Sequence, residues 1–135
     1  MPVSDWWALT YADQYELLSL QPTRLGPKLP DYYGTVILGR TPIPDVATRD
    51  RLNWALQSGA RQSDGRSKSC FNPRHAVRVT QAGVTTEFLI CFECRQFEVW
   101  RDGKEIGYFL TNSSPQAVFD DVLNKAGIPL ALKEQ

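Results

Sequence analysis

The sequence predicts an α+β domain: an antiparallel β-meander of about four to six strands with two helices packed on one face. Three observations predict it. Between Ala76 and Leu110, apolar residues alternate with polar ones, and the run is cut by Ala82-Gly83 and Asp102-Gly103, pairs typical of tight hairpins. Two segments carry apolar residues at helical spacing, one after Asp45 and one after Ser114-Pro115. The chain has 135 residues, a length suited to one domain covering 1–135.

The elements follow in order. Trp6, Trp7, Tyr11 and Tyr15 crowd the start. Thr10 and Asp13 have the spacing of a capping box, so Thr10 to Leu20 reads either as a short helix or as an edge strand. The alternation of Tyr15, Leu17 and Ser19 favours a strand for its last five or six residues. Pro22, Gly26, Pro27 and Pro30 make an irregular connection. Tyr32 to Leu38 is aromatic and β-branched and reads as a strand ended by Gly39 and by Pro42 and Pro44. Asp45 suits an N-cap, with Val46, Leu52, Ala55 and Leu56 on the buried face of the following helix and Gly59 just past its end. The polar stretch Arg61 to Ser69 reads as an exposed, mobile loop.

Beyond it, Ala76 to Gln81 and Val84 to Phe92 form a hairpin. The apolar phase then changes between Phe92 and Phe97, which requires a bend or bulge. Glu105 to Leu110 adds a strand. Ser114 as N-cap and Pro115 as first residue start the last helix, whose stripe is Val118, Phe119, Val122, Leu123 and Ala126. Gly127 stops it, and the apolar tail Ile128 to Leu132 is expected to pack back on the sheet.

Composition bounds the function. Fifteen basic and fifteen acidic residues give zero formal charge, so the excess that neutralises nucleic-acid phosphates is missing. No apolar run approaches the roughly 20 residues of a membrane helix, and the start lacks a signal-peptide pattern. A cytoplasmic protein that contacts neither nucleic acid nor membrane is expected. No glycine-rich phosphate loop, HExxH, GxSxG or carboxylate pair marks an enzyme.

All three cysteines and the single histidine lie within one segment, as Cys70-x4-His75-x15-Cys91-x2-Cys94. Three thiolates and an imidazole match a tetrahedral Zn²⁺ site, and the two ligand pairs would meet at adjacent ends of the hairpin. Against this, residues three apart in a regular strand point to opposite faces. The competing view is that Cys91 and Cys94 are buried hydrophobes and His75 a core histidine. A redox or catalytic role needs a thiolate favoured by Arg74, His75 or Arg95. An odd cysteine count argues against a closed disulfide framework. Arg74 and Arg78 flank the histidine and suit either an anion or partner contact, or pairing with Glu87 and Glu93 across strands. On a strand the adjacent Trp6 and Trp7 cannot both point inward, which leaves one to anchor a partner. Asp120 and Asp121 read as a solvated helix face.

The segment Cys70-Phe71-Asn72-Pro73-Arg74-His75-Ala76-Val77-Arg78, followed by Ile90-Cys91-Phe92-Glu93-Cys94, resembles a pattern of short, uncharacterised bacterial proteins over about Glu16 to Leu130. That resemblance implies no activity. By type, without a shared motif, the chain is similar to immunity proteins that neutralise secreted toxins. This implies a non-enzymatic binding protein that occludes a toxin domain, with Trp6, Trp7, Arg74 and Arg78 as contact residues. The alternative is a small zinc- or thiol-dependent protein, structural, hydrolytic or redox, built on Cys70, His75, Cys91 and Cys94.

Overall fold

The computed structural model describes residues 1–23, 26–27 and 29–132. The elements are α1 (Val3–Thr10), β1 (Gln14–Gln21), β2 (Val36–Pro42), α2 (Val46–Arg61), β3 (His75–Gln81), β4 (Val84–Cys91), β5 (Gln96–Arg101), β6 (Lys104–Leu110) and α3 (Gln116–Lys125). Six strands form one open sheet in the order β2-β1-β3-β4-β5-β6, and every neighbouring pair is antiparallel. The α+β class and the strand number are as the sequence predicts. A third helix, α1, joins the two expected.

Alternation along the strands builds two cores. Tyr15, Leu17, Val77, Val79, Phe88, Ile90, Phe97 and Val99 face the helices and pack with Leu9, Leu52, Leu56, Phe119 and Leu123. The residues between them, Leu18, Leu20, Ala76 and Leu89, face the other way and are covered by Tyr32, Tyr33, Ile37, Phe71 and Trp100. On that side Tyr33 donates to Glu87 Oε1 at 2.6 Å, and Tyr32 donates to Glu87 Oε2. Burial first, then these bonds to Glu87, push both phenols above their ordinary pKa. The phenols tie the connection between β1 and β2 to the middle of the sheet.

Several local expectations change. Thr10 and Asp13 do not open a helix: Thr10 closes α1 by donating to the Trp6 carbonyl, and the Asp13 carboxylate accepts from Ala82 N. β1 is no edge strand, because it lies between β2 and β3. The strand expected from Tyr32 begins only at Val36, since Tyr33 (φ 49°) and Gly34 (φ 79°) make a turn closed by the Tyr32–Thr35 bridge. Gly39 lies inside β2, where the register with β1 shifts at Ser19/Leu20. A side chain at Gly39 would come within 2.9 Å of Ile128 Cγ2.

Asp45 does cap α2, accepting from Thr48 N at 3.0 Å and from the Thr48 hydroxyl. Those bonds hold its carboxyl below the usual carboxylate range. Val46, however, is exposed, because it stands at the start of the helix beyond the reach of the sheet. Gly59 does not end α2, which runs on to Arg61. Ser114 does not cap α3: its hydroxyl and amide both donate to Asn112 Oδ1, and Pro115 occupies the cap position. Phe119, Val122 and Leu123 are buried as expected, while Ala126 is exposed in the last turn. Gly127 (φ 74°) does stop α3, with Ile128 N donating to the Leu123 carbonyl. The tail beyond it packs on β1: Ser19 Oγ donates to the Pro129 carbonyl and Leu132 N to Gln21 Oε1. The loop between α2 and β3 is largely exposed up to Cys70.

Candidate functional site

Phe92 to Arg95 forms a tight reversal between β4 and β5, which is the source of the phase change. Arg95 adopts φ 61°, and its amide donates to the Phe92 carbonyl at 3.2 Å. The reversal carries Cys91 and Cys94 to a Cα separation of 5.1 Å, and their sulfurs form a disulfide. Both residues are buried. The loop before β3 lies against this turn. The Cys70 carbonyl oxygen is 2.8 Å from Cys94 Sγ, Asn72 N donates to the same sulfur at 3.4 Å, and Lys68 N donates to the Cys94 carbonyl.

Cys70 is therefore in contact with the turn, but as a free, exposed thiol. His75 faces elsewhere: it pairs in register with Ile90, and its ring lies between Phe92 and Phe119 on the helix side. Cys70, His75, Cys91 and Cys94 thus do not assemble as a zinc ligand set. Among the described residues no group of three or more His, Cys, Asp or Glu side chains could hold a metal ion. The physical reason is the pleat. Ile90 and Cys91 are consecutive, so they present opposite faces, and the histidine beside Ile90 is turned from the sulfurs.

What His75 meets instead is Asp120, with Nε2 and Oδ1 2.7 Å apart and the histidine side chain only 5% exposed. Asp120 was expected on a solvated face, and Asp121 does lie on one, paired with Arg51 and Lys125. Those partners, Arg51 first, hold the Asp121 carboxyl below its usual range. Asp120 stands about 100° round α3 from Phe119, on the flank of the buried stripe, whereas Asp121 stands about 200° round, on its far side. Next to the His75–Asp120 pair, Arg74 Nη1 donates to Glu93 Oε2 at 2.6 Å, and this bond lowers the Glu93 carboxyl. Arg74 and Glu93, with His75, Gln116, Asp120, Leu130 and Ala131, line a cleft of about 450 Å³. Gln116 and Asp120 are four apart on α3 and so share one side of the helix.

Arg78 belongs to the opposite face of the sheet, across from Glu87 in register and 3.9 Å from its carboxylate. Its cross-strand reading holds, and it lies apart from Arg74's cleft. Trp6 and Trp7 lie on helix α1 and not on a strand, and they still separate: Trp6 packs against the core and Trp7, about 100° further round the helix, is 59% exposed. Val3, Trp7 and Tyr11 recur every four residues and share the outer side of α1. Trp54 is 63% exposed on α2, beside Asn53, whose side chain donates to the Leu9 carbonyl and ties the two helices together.

The pairing of Arg74 with Glu93 is the one expected from the sequence, whereas Gln116, Asp120 and Trp54 carry no local sequence signal for these roles, since each depends on a partner or neighbour element far along the chain. No helix among the described residues is long and apolar enough to cross a membrane. Comparison of the chain with protein-family models, with curated proteins and with solved structures finds no match.

Proposed function

We propose that this chain is a non-enzymatic binding protein of the immunity type, which occludes a toxin domain from the cytoplasm of the producing cell. The observation that carries the reading is the outer surface of the α1–α2 layer, where Trp7, Tyr11 and Trp54 are each more than half exposed. Large aromatics left in water on a helical layer are the residue types that dominate protein–protein binding when a partner desolvates them. The chemistry elsewhere supports binding over turnover. Among the described residues the cleft is lined by no Ser, Thr, Cys or Tyr that could act as nucleophile, and Arg74 is paired with Glu93 and His75 with Asp120. Both cysteines of the turn are buried, so the reading does not depend on whether they stand as a disulfide or as two thiols in a reducing compartment.

The test is inspection of the neighbouring genes for a secreted toxin domain and co-expression with any such domain, read by cell survival and by calorimetry on the purified pair; absence of a neighbouring toxin gene counts against the reading. The unmodified chain should protect and bind. The double variant Trp7→Ala/Trp54→Ala should fold normally and lose about 2–4 kcal/mol of binding, the range for aromatic anchors. Equal protection by the double variant removes the proposed surface. Failure of the unmodified chain to bind or protect removes the immunity reading itself.

A further inference from the structure

We propose that Cys70, Cys91 and Cys94 form a thiol–disulfide exchange site for low-molecular-weight thiols, in which Cys70 is the entry thiol and the Cys91–Cys94 pair takes up or releases two electrons. The site is separate from the outer helical surface and does not rest on that surface's role.

The first observation is access. Cys91 and Cys94 are buried, so a thiol in solution does not reach their sulfurs. Cys70 is free and exposed, and its own carbonyl oxygen lies 2.8 Å from Cys94 Sγ. The chain is pinned on both sides of it: Lys68 N donates to the Cys94 carbonyl at 3.0 Å and Asn72 N to Cys94 Sγ at 3.4 Å. Between those bonds no helix or strand holds the backbone, so bringing the Cys70 side chain over Cys94 in place of the carbonyl is a local rotation. A thiol tethered beside its target acts on it at high effective concentration.

The second observation is that each buried sulfur has a partner suited to the reduced state. Cys94 N donates to Cys91 Sγ at 3.0 Å, and Asn72 N donates to Cys94 Sγ. A disulfide sulfur is a weak acceptor and a thiolate a strong one, so these amides favour either sulfur as leaving group. The Cys70 carbonyl is placed to accept from the Cys94 thiol once the pair is reduced. A disulfide that served the fold alone would need none of these partners.

The exchange balances in three steps. The Cys70 thiolate attacks Cys94 Sγ; the Cys70–Cys94 bond forms, the Cys91–Cys94 bond breaks, and Cys91 leaves as a thiolate held by Cys94 N. An external thiolate then attacks the exposed Cys70 sulfur, forming a mixed disulfide and releasing Cys94 as a thiolate. A second external thiolate attacks the external sulfur, releasing the small-molecule disulfide and regenerating Cys70. Two external thiols are oxidised, Cys91 and Cys94 are reduced, and their thiolates take protons from water. With an external disulfide the steps run in reverse.

The experiment uses the full oxidised chain in millimolar reduced glutathione, quenched at intervals by alkylation and mapped by peptide mass spectrometry. Glutathione should appear on Cys70 before Cys91 and Cys94 become alkylated. Cys70→Ser should slow reduction of the Cys91–Cys94 pair roughly tenfold or more, since the tethered nucleophile is lost. A merely structural Cys70 predicts the opposite sign, because a loosened loop exposes the disulfide and speeds its reduction. Melting of the oxidised variant checks that it is folded, and the mapping on the unmodified chain tests the same claim without substitution. Oxidised glutathione should restore the Cys91–Cys94 bond in the reduced chain, again through Cys70. First attachment of glutathione at Cys91 or Cys94, reduction of Cys70→Ser as fast as the unmodified chain, or a pair that glutathione does not reduce would each overturn the proposal.

Discussion

Gly59 shows how a single residue can be read correctly as special and still be misplaced. Glycine near the end of an apolar helical pattern suggests a stop. Here it is buried in the last turns of α2, where a Cβ would stand 2.5 Å from Thr111 Oγ1 and 2.6 Å from Pro115 Cγ. Both atoms are fixed: Thr111 is fully buried, and Pro115 is a ring at the start of α3. The backbone also meets here, with Asn112 N donating to the Gly59 carbonyl at 3.0 Å. Alanine would gain roughly 1 kcal/mol of helix propensity. Overpacking against rigid neighbours costs about 1–3 kcal/mol. Gly59→Ala should therefore be net destabilising in urea unfolding, and an unchanged or raised midpoint would show that α3 can shift away. The sequence cannot distinguish the two roles, because the atoms that exclude a side chain lie more than fifty residues downstream.

At the scale of elements, the Cys91–Cys94 turn joins two strands and holds a third segment by contacts to sulfur and carbonyl. The expected bend is present there, and its cause is a chain reversal. Alternation marks the strands on either side, since each strand has its own period, but gives no register for the reversal between them. The pairing of the two cysteines was equally hidden, since spacing by three is as compatible with metal as with a disulfide. Reduction should remove up to about 2 kcal/mol of loop-closure stabilisation, the value for a four-residue loop. The loss should be local as well as global. Lys68 and Asn72 donate their amides to Cys94, so their hydrogen exchange should accelerate on reduction, while that of β3 amides paired with β1 changes little. Cys91→Ser should reproduce the effect without reductant. Unaltered exchange at Lys68 and Asn72 in both cases would mean that the loop is held independently of the disulfide.

For the molecule as a whole, the sheet is buried on both sides by unlike materials: helices on one face, an aromatic-rich connection on the other. The helical side was legible because Leu52, Leu56, Phe119 and Leu123 repeat at helical spacing. The second side was not, because Tyr32 and Tyr33 have no period and their anchor, Glu87, is over fifty residues away in the middle of β4. The two sides should therefore come apart separately. Glu87→Ala removes the acceptor of both phenols and the neighbour of Arg78, leaving donors that are satisfied most easily by water. Releasing the connection lets them reach it, so the cost should stay near about 2 kcal/mol for undocking. The amides of Tyr32 and Thr35, which bond each other's carbonyls, should then exchange much faster, and the Tyr33–Trp100 contact at 4.7 Å should be lost from the near-ultraviolet dichroism. Amides in β3 and β4 should keep their protection, because Val77, Val79, Phe88 and Ile90 still pack under the helices. A uniform rise in exchange across β3, β4 and the connection would instead make the two faces one cooperative unit, with Glu87 at the centre of the whole fold.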